Sequence, residues 1–342
     1  MTGTPPPRLP PTRPAGDRPD AGQVPDSHRD LLDRPLIAAL TTLMPDRYPQ
    51  THPVWFSFEQ PYVLVNTMRG FRKERNMRAD PRVTLLVVDP GPAVHWIELR
   101  GVVELTEDGA SDHLDALANR YVGAPRFFGG AVPAELGRTE TPVIGRIRPL
   151  RILTGAVADA ATARAHRRPQ SATSGQVADG DQGPAAGGTP GEGEMPRTAT
   201  AAIPDSHHDL LSRPLRATLA TLMADGQPQT QPVWFSFDGT DVLINTASER
   251  QKARNMSARP RAAVLVVDPE DSGRWIEIRG DASVSEEGAL EHLDNLAHAY
   301  TGGRHFYGDV VPRARRGRET RVICRIRARH VVCDAIHHTP PR

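Results

Sequence analysis

Lys73, Arg75 and Asn76 fall within four consecutive positions shortly after Asn66-Thr67, and the same set returns as Lys252, Arg254 and Asn255 after Asn245-Thr246. A lysine and an arginine at the start of a short helix, where backbone N–H groups are free, make a natural phosphate site. The Thr67 and Thr246 hydroxyls add donors, and Asn66, Asn245 and Arg72 are grouped with them as cofactor-binding candidates. Taken singly, such a turn is more often a solvated helix face. The two copies, however, share no residue from Met68 to Arg72, yet Lys, Arg, Asn and Met come back together at 73–77. That return inside a drifting segment points to chemistry.

Upstream, Gln50–Phe58 and Gln229–Phe237 both contain Pro-Val-Trp-Phe-Ser-Phe. A proline removes a ladder donor, so its strand belongs at an edge or a bulge, where backbone groups are free to meet a flat heterocycle. Thr51, His52, Pro53 and Val54, with Thr230, Gln231, Pro232 and Val233, are therefore binding candidates, while Trp55 and Phe58 are assigned to the core. Glu98 with Arg100, and Glu277 with Arg279, lie two apart on a strand and read as solvated or cross-strand ion pairs. Arg313–Arg318 concentrates positive charge in the second copy only, as a solvated loop or as a clamp for an anionic ligand tail. His207 and His208 lack Cys or acidic partners at metal spacing. No Gly-rich phosphate loop or nucleophile elbow is present, so no catalytic residue and no metal is assigned.

The elements that must position these residues also occur twice. Trp55 and Trp234, Lys73 and Lys252, Trp96 and Trp275, and Tyr121 and Tyr300 are all 179 residues apart, and 33 of the 53 positions from Pro25 to Met77 are identical to their counterparts. Each copy reads as a short helix from Asp26, with Asp or Ser as its cap, then strands over 36–44, 50–58 and 62–67, a helix over 71–79, strands over 83–88 and 94–105 with a bend at Gly101, a helix over 110–121 and a last strand over 143–153. About six strands in a hairpin-rich order should curl into a barrel, which removes exposed edges.

Length and composition bound the rest. The 342 residues suit two domains, assigned to 25–159 and 203–336, with a disordered leader at 1–24 and a Gly/Pro/Ser-rich flexible linker at 160–202. With 42 basic and 41 acidic residues, charge gives no reason to expect a nucleic acid or membrane partner. Two cysteines and no apolar run of membrane-spanning length fit a soluble cytoplasmic protein.

The order Arg-Pro-Leu, Pro-Gln-Thr-x-Pro-Val-Trp-Phe-Ser-Phe, Asn-Thr, Lys-x-Arg-Asn-Met, Val-Val-Asp-Pro and Trp-Ile-Glu-x-Arg-Gly resembles the pyridoxamine 5'-phosphate oxidase-like split β-barrel superfamily. Within it the resemblance is to the branch of reductases dependent on the deazaflavin coenzyme F420. It covers Asp26 to about Leu153 and Asp205 to about Val332. It implies a mainly β fold, two tandem FMN-binding-like split barrels that form a pseudo-dimer within one monomeric chain. It also implies that the cofactor phosphate meets Lys73, Arg75, Asn76 and Thr67, or Lys252, Arg254, Asn255 and Thr246, with the ring along 51–54 or 230–233. The activity implied is hydride transfer between the deazaflavin C5 and an unsaturated or oxidised small molecule, with Arg313–Arg318 on the cofactor's oligoglutamate tail. FMN on the same fold, and a non-catalytic module for flavin, haem or another tetrapyrrole, are the alternatives. The C-terminal substrate motif of the vitamin B6 oxidases is absent, and His52 opposite Gln231 raises the question of whether the two sites are alike.

Overall fold

The computed structural model describes residues 23–91, 95–156 and 200–334, so most of the expected leader and linker lies outside the described residues. The first copy contains helices α1 (Arg29–Asp33), α2 (Arg72–Ala79) and α3 (Ala110–Val122). Its strands are β1 (Ala38–Leu43), β2 (Pro49–Val54), β3 (Phe56–Glu59), β4 (Tyr62–Met68), β5 (Arg82–Val88), β6 (His95–Thr106) and β7 (Pro142–Ala156). The second repeats them as α4 (His208–Ser212), β8 (Ala217–Leu222), β9 (Pro228–Val233), β10 (Phe235–Phe237), β11 (Asp241–Ala247), α5 (Gln251–Ala258), β12 (Arg261–Val267), β13 (Trp275–Ser285), α6 (Ala289–Thr301) and β14 (Arg321–Cys333).

Each sheet is antiparallel and seven-stranded, in the order β2-β1-β5-β6-β7-β4-β3 and its equivalent in the second copy. The expected single strand over 50–58 is in fact two. β1 offers partners only as far as Ala38, opposite Val54, whereas Phe56–Glu59 pairs with β4 on the far side of the sheet. The chain therefore crosses from one edge to the other at Trp55, and the sheet must curl to let it. Counted as one interrupted strand, β2 and β3 make the six strands of a split barrel. Side chains facing inward form one apolar core per copy: Leu40, Phe56, Val65, Leu85, Ile97 and Ile147 in the first, and Leu219, Phe235, Ile244, Val264, Ile276 and Ile326 in the second.

The bend at Gly101 is a β-bulge, with the β6–β7 register shifting between Arg100 and Gly101. A Cβ at Gly101 would lie 2.2 Å from the Arg148 carbonyl oxygen, and one at Gly280 2.0 Å from that of Arg327. The long strand can fold over its partner only where no side chain intervenes. The expected Asp or Ser cap on the first helix is not made: no capping side-chain bond forms, and the Ser27 hydroxyl instead meets His28 Nδ1 at 2.9 Å.

The two copies dock through equivalent, reciprocal contacts. Arg82 donates to the Asp225 carbonyl in the other copy's hairpin turn, and Arg261 donates to that of Asp46. Leu86, Leu265 and Trp275 form an apolar patch between them, with Val88, Trp96 and Val267 packed against it. At the centre lie Glu98 and Glu277, and here the expectation of a solvated pair is overturned. Both are fully buried, and each accepts a backbone N–H from the opposite copy: Glu98 from Thr230 at 2.6 Å, Glu277 from Thr51. Their strand partners Arg100 and Arg279 are buried beside them. The alternation of β6 does put Glu and Arg on one face, but that face meets the other copy instead of water.

Two outcomes follow from this packing. Gly101→Ala should destabilise the chain by roughly 1–3 kcal/mol or more, because backbone atoms must move to admit the methyl group, and denaturant unfolding measures it. Burial pushes the Glu277 carboxyl up to about 7, against the opposing pull of Arg279 and the Thr51 N–H, and Glu98 is raised for the same reason. A carboxyl that holds its proton better when folded contributes stability that is full below its unfolded value and is lost as pH rises through the folded one. The melting temperature should therefore carry a component that falls between about pH 4.5 and 7. In a Glu98→Gln, Glu277→Gln double variant that component should vanish, as a thermal series from pH 4 to 8 would show.

Candidate functional site

Beside β2 and β4 of the first copy lies a cleft of about 520 Å³. Pro53, Val54, Asn66 and Thr67 line it from the sheet, Lys73 and Phe71 from the start of α2, Leu114 and Leu117 from α3, and Phe127 and Val132 from the loop that follows. The second copy contributes Ser272, Gly273 and Trp275. The site therefore exists only where the copies meet.

Among the described residues, Lys73 is the single ionisable side chain lining the cleft. Its residue is 6% exposed, and no hydrogen bond or carboxylate partner for it is found among the described residues. Burial alone lowers its ammonium to about 8. The chain contains 42 Lys and Arg residues together, but Lys73 and Lys252 are its only lysines. An ammonium is compact and its charge can be tuned by burial, which a guanidinium's cannot. Around Lys73 other polar atoms are also unsatisfied. The Asn66 amide donates from Nδ2 to the Ala110 carbonyl at 2.9 Å, which leaves its buried Oδ1 with no hydrogen bond. The Thr67 hydroxyl is likewise buried and unbonded. Behind Asn66, His113 meets Ser57 Oγ at 3.0 Å, and burial lowers its imidazole to about 4, so it stays neutral. A buried cation with no counter-charge, beside a free hydroxyl and a free amide oxygen, is an arrangement that a phosphate-bearing ligand would complete.

The other first-copy candidates sit outside the cleft lining. Thr51 spends its N–H on Glu277 and its hydroxyl on Thr41. His52 faces the interface, its ring edge-on to Trp275 at 5.3 Å, and burial, then Lys73 and Arg279, hold it far below its usual value and neutral. Arg72 is half-buried on α2. Arg75 is exposed and donates to the Gly70 carbonyl at 2.8 Å. Asn76 is buried and donates to Thr42 Oγ1 at 3.0 Å and Gln50 Oε1 at 2.8 Å. Arg75 and Asn76 thus fix the helix that presents Lys73.

In the second copy the framework is the same. Thr230 donates to Glu98, Gln231 is half-buried, and Val233 is buried. Asn245 donates to the Ala289 carbonyl at 2.7 Å, Thr246 is buried, and Lys252 is lowered to about 8 by burial and then by Arg250. Arg254 is exposed, and Asn255 donates to Thr221 and Gln229. The difference is at Asn245, whose Oδ1 accepts from Arg321. Pro232 lines a second, central groove of about 840 Å³, which both copies form around Trp55 and Trp234 and which borders the cleft at Ile37, Trp55, Val122 and Ser272. Arg313–Arg318 is exposed throughout and lines neither space.

Sequence reasoning missed the walls. Trp55 is not core: it is half-buried, stacks on Tyr121 at 5.2 Å and faces both spaces, whereas the buried aromatic is its neighbour Phe56. Phe58, half-buried, does pack against the first-copy core, with Arg29 over its ring at 4.7 Å. Trp275 carried a signal, its repeat at Trp96, but a linear sequence does not say that it closes the other copy's site.

A family model for pyridoxamine 5'-phosphate oxidase matches residues 24–141 and again 203–332. Among solved structures, the chain is similar to one described as an F420 reductase, at 30% identity over 38% of this chain and 98% of that one, with a TM-score of 0.33. It is also similar to a conserved hypothetical protein of Mycobacterium tuberculosis, at 25% identity over 43% of this chain and 98% of that one, with a TM-score of 0.31. With the family model matching both copies, each a curled antiparallel sheet with short helices, the chain belongs to the pyridoxamine 5'-phosphate oxidase family, as two tandem split barrels.

Proposed function

We propose that the chain is an oxidoreductase that holds a phosphate-bearing flavin-type cofactor, coenzyme F420, in the first-copy cleft and uses it on an unsaturated or oxidised small molecule. The observation that carries this reading is Lys73, a buried ammonium with no counter-charge among the described residues, at the start of helix α2. On this reading Lys73 and the Thr67 hydroxyl hold the phosphate, and Asn66 Oδ1 accepts from a polar edge of the ligand. The Pro53–Val54 backbone, Trp55 and Phe127 set the plane of the ring. A volume of about 520 Å³ falls in the range of cofactor sites. The order of sequence motifs favours the deazaflavin over FMN.

When bound, the deazaflavin supplies hydride chemistry at its C5. The chain's own contribution is binding, orientation and exclusion of water. Trp275, 4% exposed, closes the cleft from the second copy. The central groove, joined to the cleft at Trp55 and Val122, is the approach for the substrate. No side chain is assigned as proton donor, since His113 and the interface His52 are both held neutral and Tyr121 is pushed up to about 12 by burial.

Titration of the pure protein with oxidised F420 and, separately, FMN tests the reading, followed by oxidation of reduced F420 across a panel of enones, quinones and imines. Saturable F420 binding with turnover is the expected result, and tight FMN binding with no response to F420 would transfer the site to FMN. Charge-assisted bonds to phosphate are worth roughly 1.5–3 kcal/mol, so Lys73→Ala should weaken binding about tenfold or more. Because the free ammonium loses its proton near 8, wild-type affinity should fall as pH rises from 7 to 9. In Lys73→Ala that slope should be absent.

A further inference from the structure

Resting on that reading, we propose that the chain binds one cofactor and not two, because Arg321 closes the second-copy cleft from within. The copies share strand order and the β4–β7 and β11–β14 registers, so the contrast lies in side chains. In the first copy the residue opening the last strand is Pro142, and the nearby Asn66 Oδ1 is left buried without a hydrogen bond. In the second copy Arg321 stands there, and it donates to Asn245 Oδ1 from Nε at 2.9 Å and from Nη2 at 2.7 Å. Its third arm, Nη1, meets Glu319 Oε1 at 2.8 Å. The guanidinium lies over Phe306 at 5.5 Å, and Phe306 is the counterpart of Phe127, a wall of the first cleft. The Arg321 side chain is 10% exposed.

Two further differences between the copies support the same contact. Phe128 becomes Tyr307, whose hydroxyl donates to Glu319 at 2.7 Å, and Phe71 becomes Arg250, which lies 3.9 Å from Glu319. Arg321, Tyr307 and Arg250 thus all converge on Glu319, whose counterpart Glu140 is already present in the first copy. A buried charge that is paired and hydrogen-bonded on every arm is costly to displace. A ligand entering here would have to break the bonds to Asn245 and Glu319, whereas the same ligand at the first cleft would satisfy atoms that have no bonds.

Because the chain has only two lysines, one at each cleft, the two sites can be read separately. The full-length protein is titrated calorimetrically with F420 and, separately, FMN, and is acetylated at pH 8 with and without each ligand, with labelling of Lys73 and Lys252 read by peptide mass spectrometry. The expected result is one equivalent per chain and protection of Lys73 only. Two equivalents or protection of both lysines would overturn the inference while leaving the cofactor reading intact, and protection of Lys252 alone would overturn the inference together with the placement of the cofactor in the first-copy cleft. Absence of binding by either ligand would remove the cofactor reading and the inference with it. Writing first-copy residues into the second, Arg250→Phe with Arg321→Pro, should add a second equivalent and protection of Lys252. A folded double variant that still binds one equivalent would overturn the role given to Arg321.

Discussion

Everything at the centre of this molecule depends on a buried carboxylate from one copy taking a backbone N–H from the other. Strand β2 is a sheet edge, and an edge amide with no ladder partner must find another acceptor if water is excluded. Glu277 supplies it at Thr51 and Glu98 supplies it at Thr230. The two exchanges are not equal. Arg100 grips Glu98 with two bonds, at 3.0 and 2.7 Å, whereas Glu277 Oε2 and Arg279 Nε, 3.3 Å apart, make no well-directed hydrogen bond. The less satisfied carboxyl is the one raised to about 7. Since Thr51 lies two residues before Pro53, where the strand begins to line the cleft, the same exchange that joins the copies also sets the floor of the site.

The architecture was largely legible because it rests on local signals. The fixed offset exposed the duplication, alternation in β6 placed its faces, Gly101 marked the bulge, and Pro53 marked an edge. What the edge would meet was not legible. Alternation assigns Glu98 and Arg100 to one face, but only the docking of a second barrel tells whether that face is wet. The same gap misplaced Trp55, since a half-buried aromatic beside a buried one has the same spacing as a core pair.

At the basic turn, three recurring side chains had equal standing in sequence, and packing separated them. Helix α2 completes about two turns, so Lys73, Arg75 and Asn76 point in different directions. Asn76 faces the hairpin and ties it to the helix, Arg75 faces solvent, and only Lys73 enters the cleft. Residues that recur together can therefore end in different places: one lining the cleft, one fixing the position of the helix.

Fusing two copies into one chain changes what substitution can achieve. In a symmetric homodimer each residue appears at both sites, so a side chain that fills one cleft fills the other. Here Arg321 stands where the first copy has Pro142, Arg250 where it has Phe71 and Tyr307 where it has Phe128, which places a network of bonds in one half and open space in the other. The second half need not be idle for this to be tolerated, because its Ser272, Gly273 and Trp275 still wall the first half's cleft. The interface that made both copies necessary thus remains in force on each of them, while the constraint on the cleft itself can be relaxed in one.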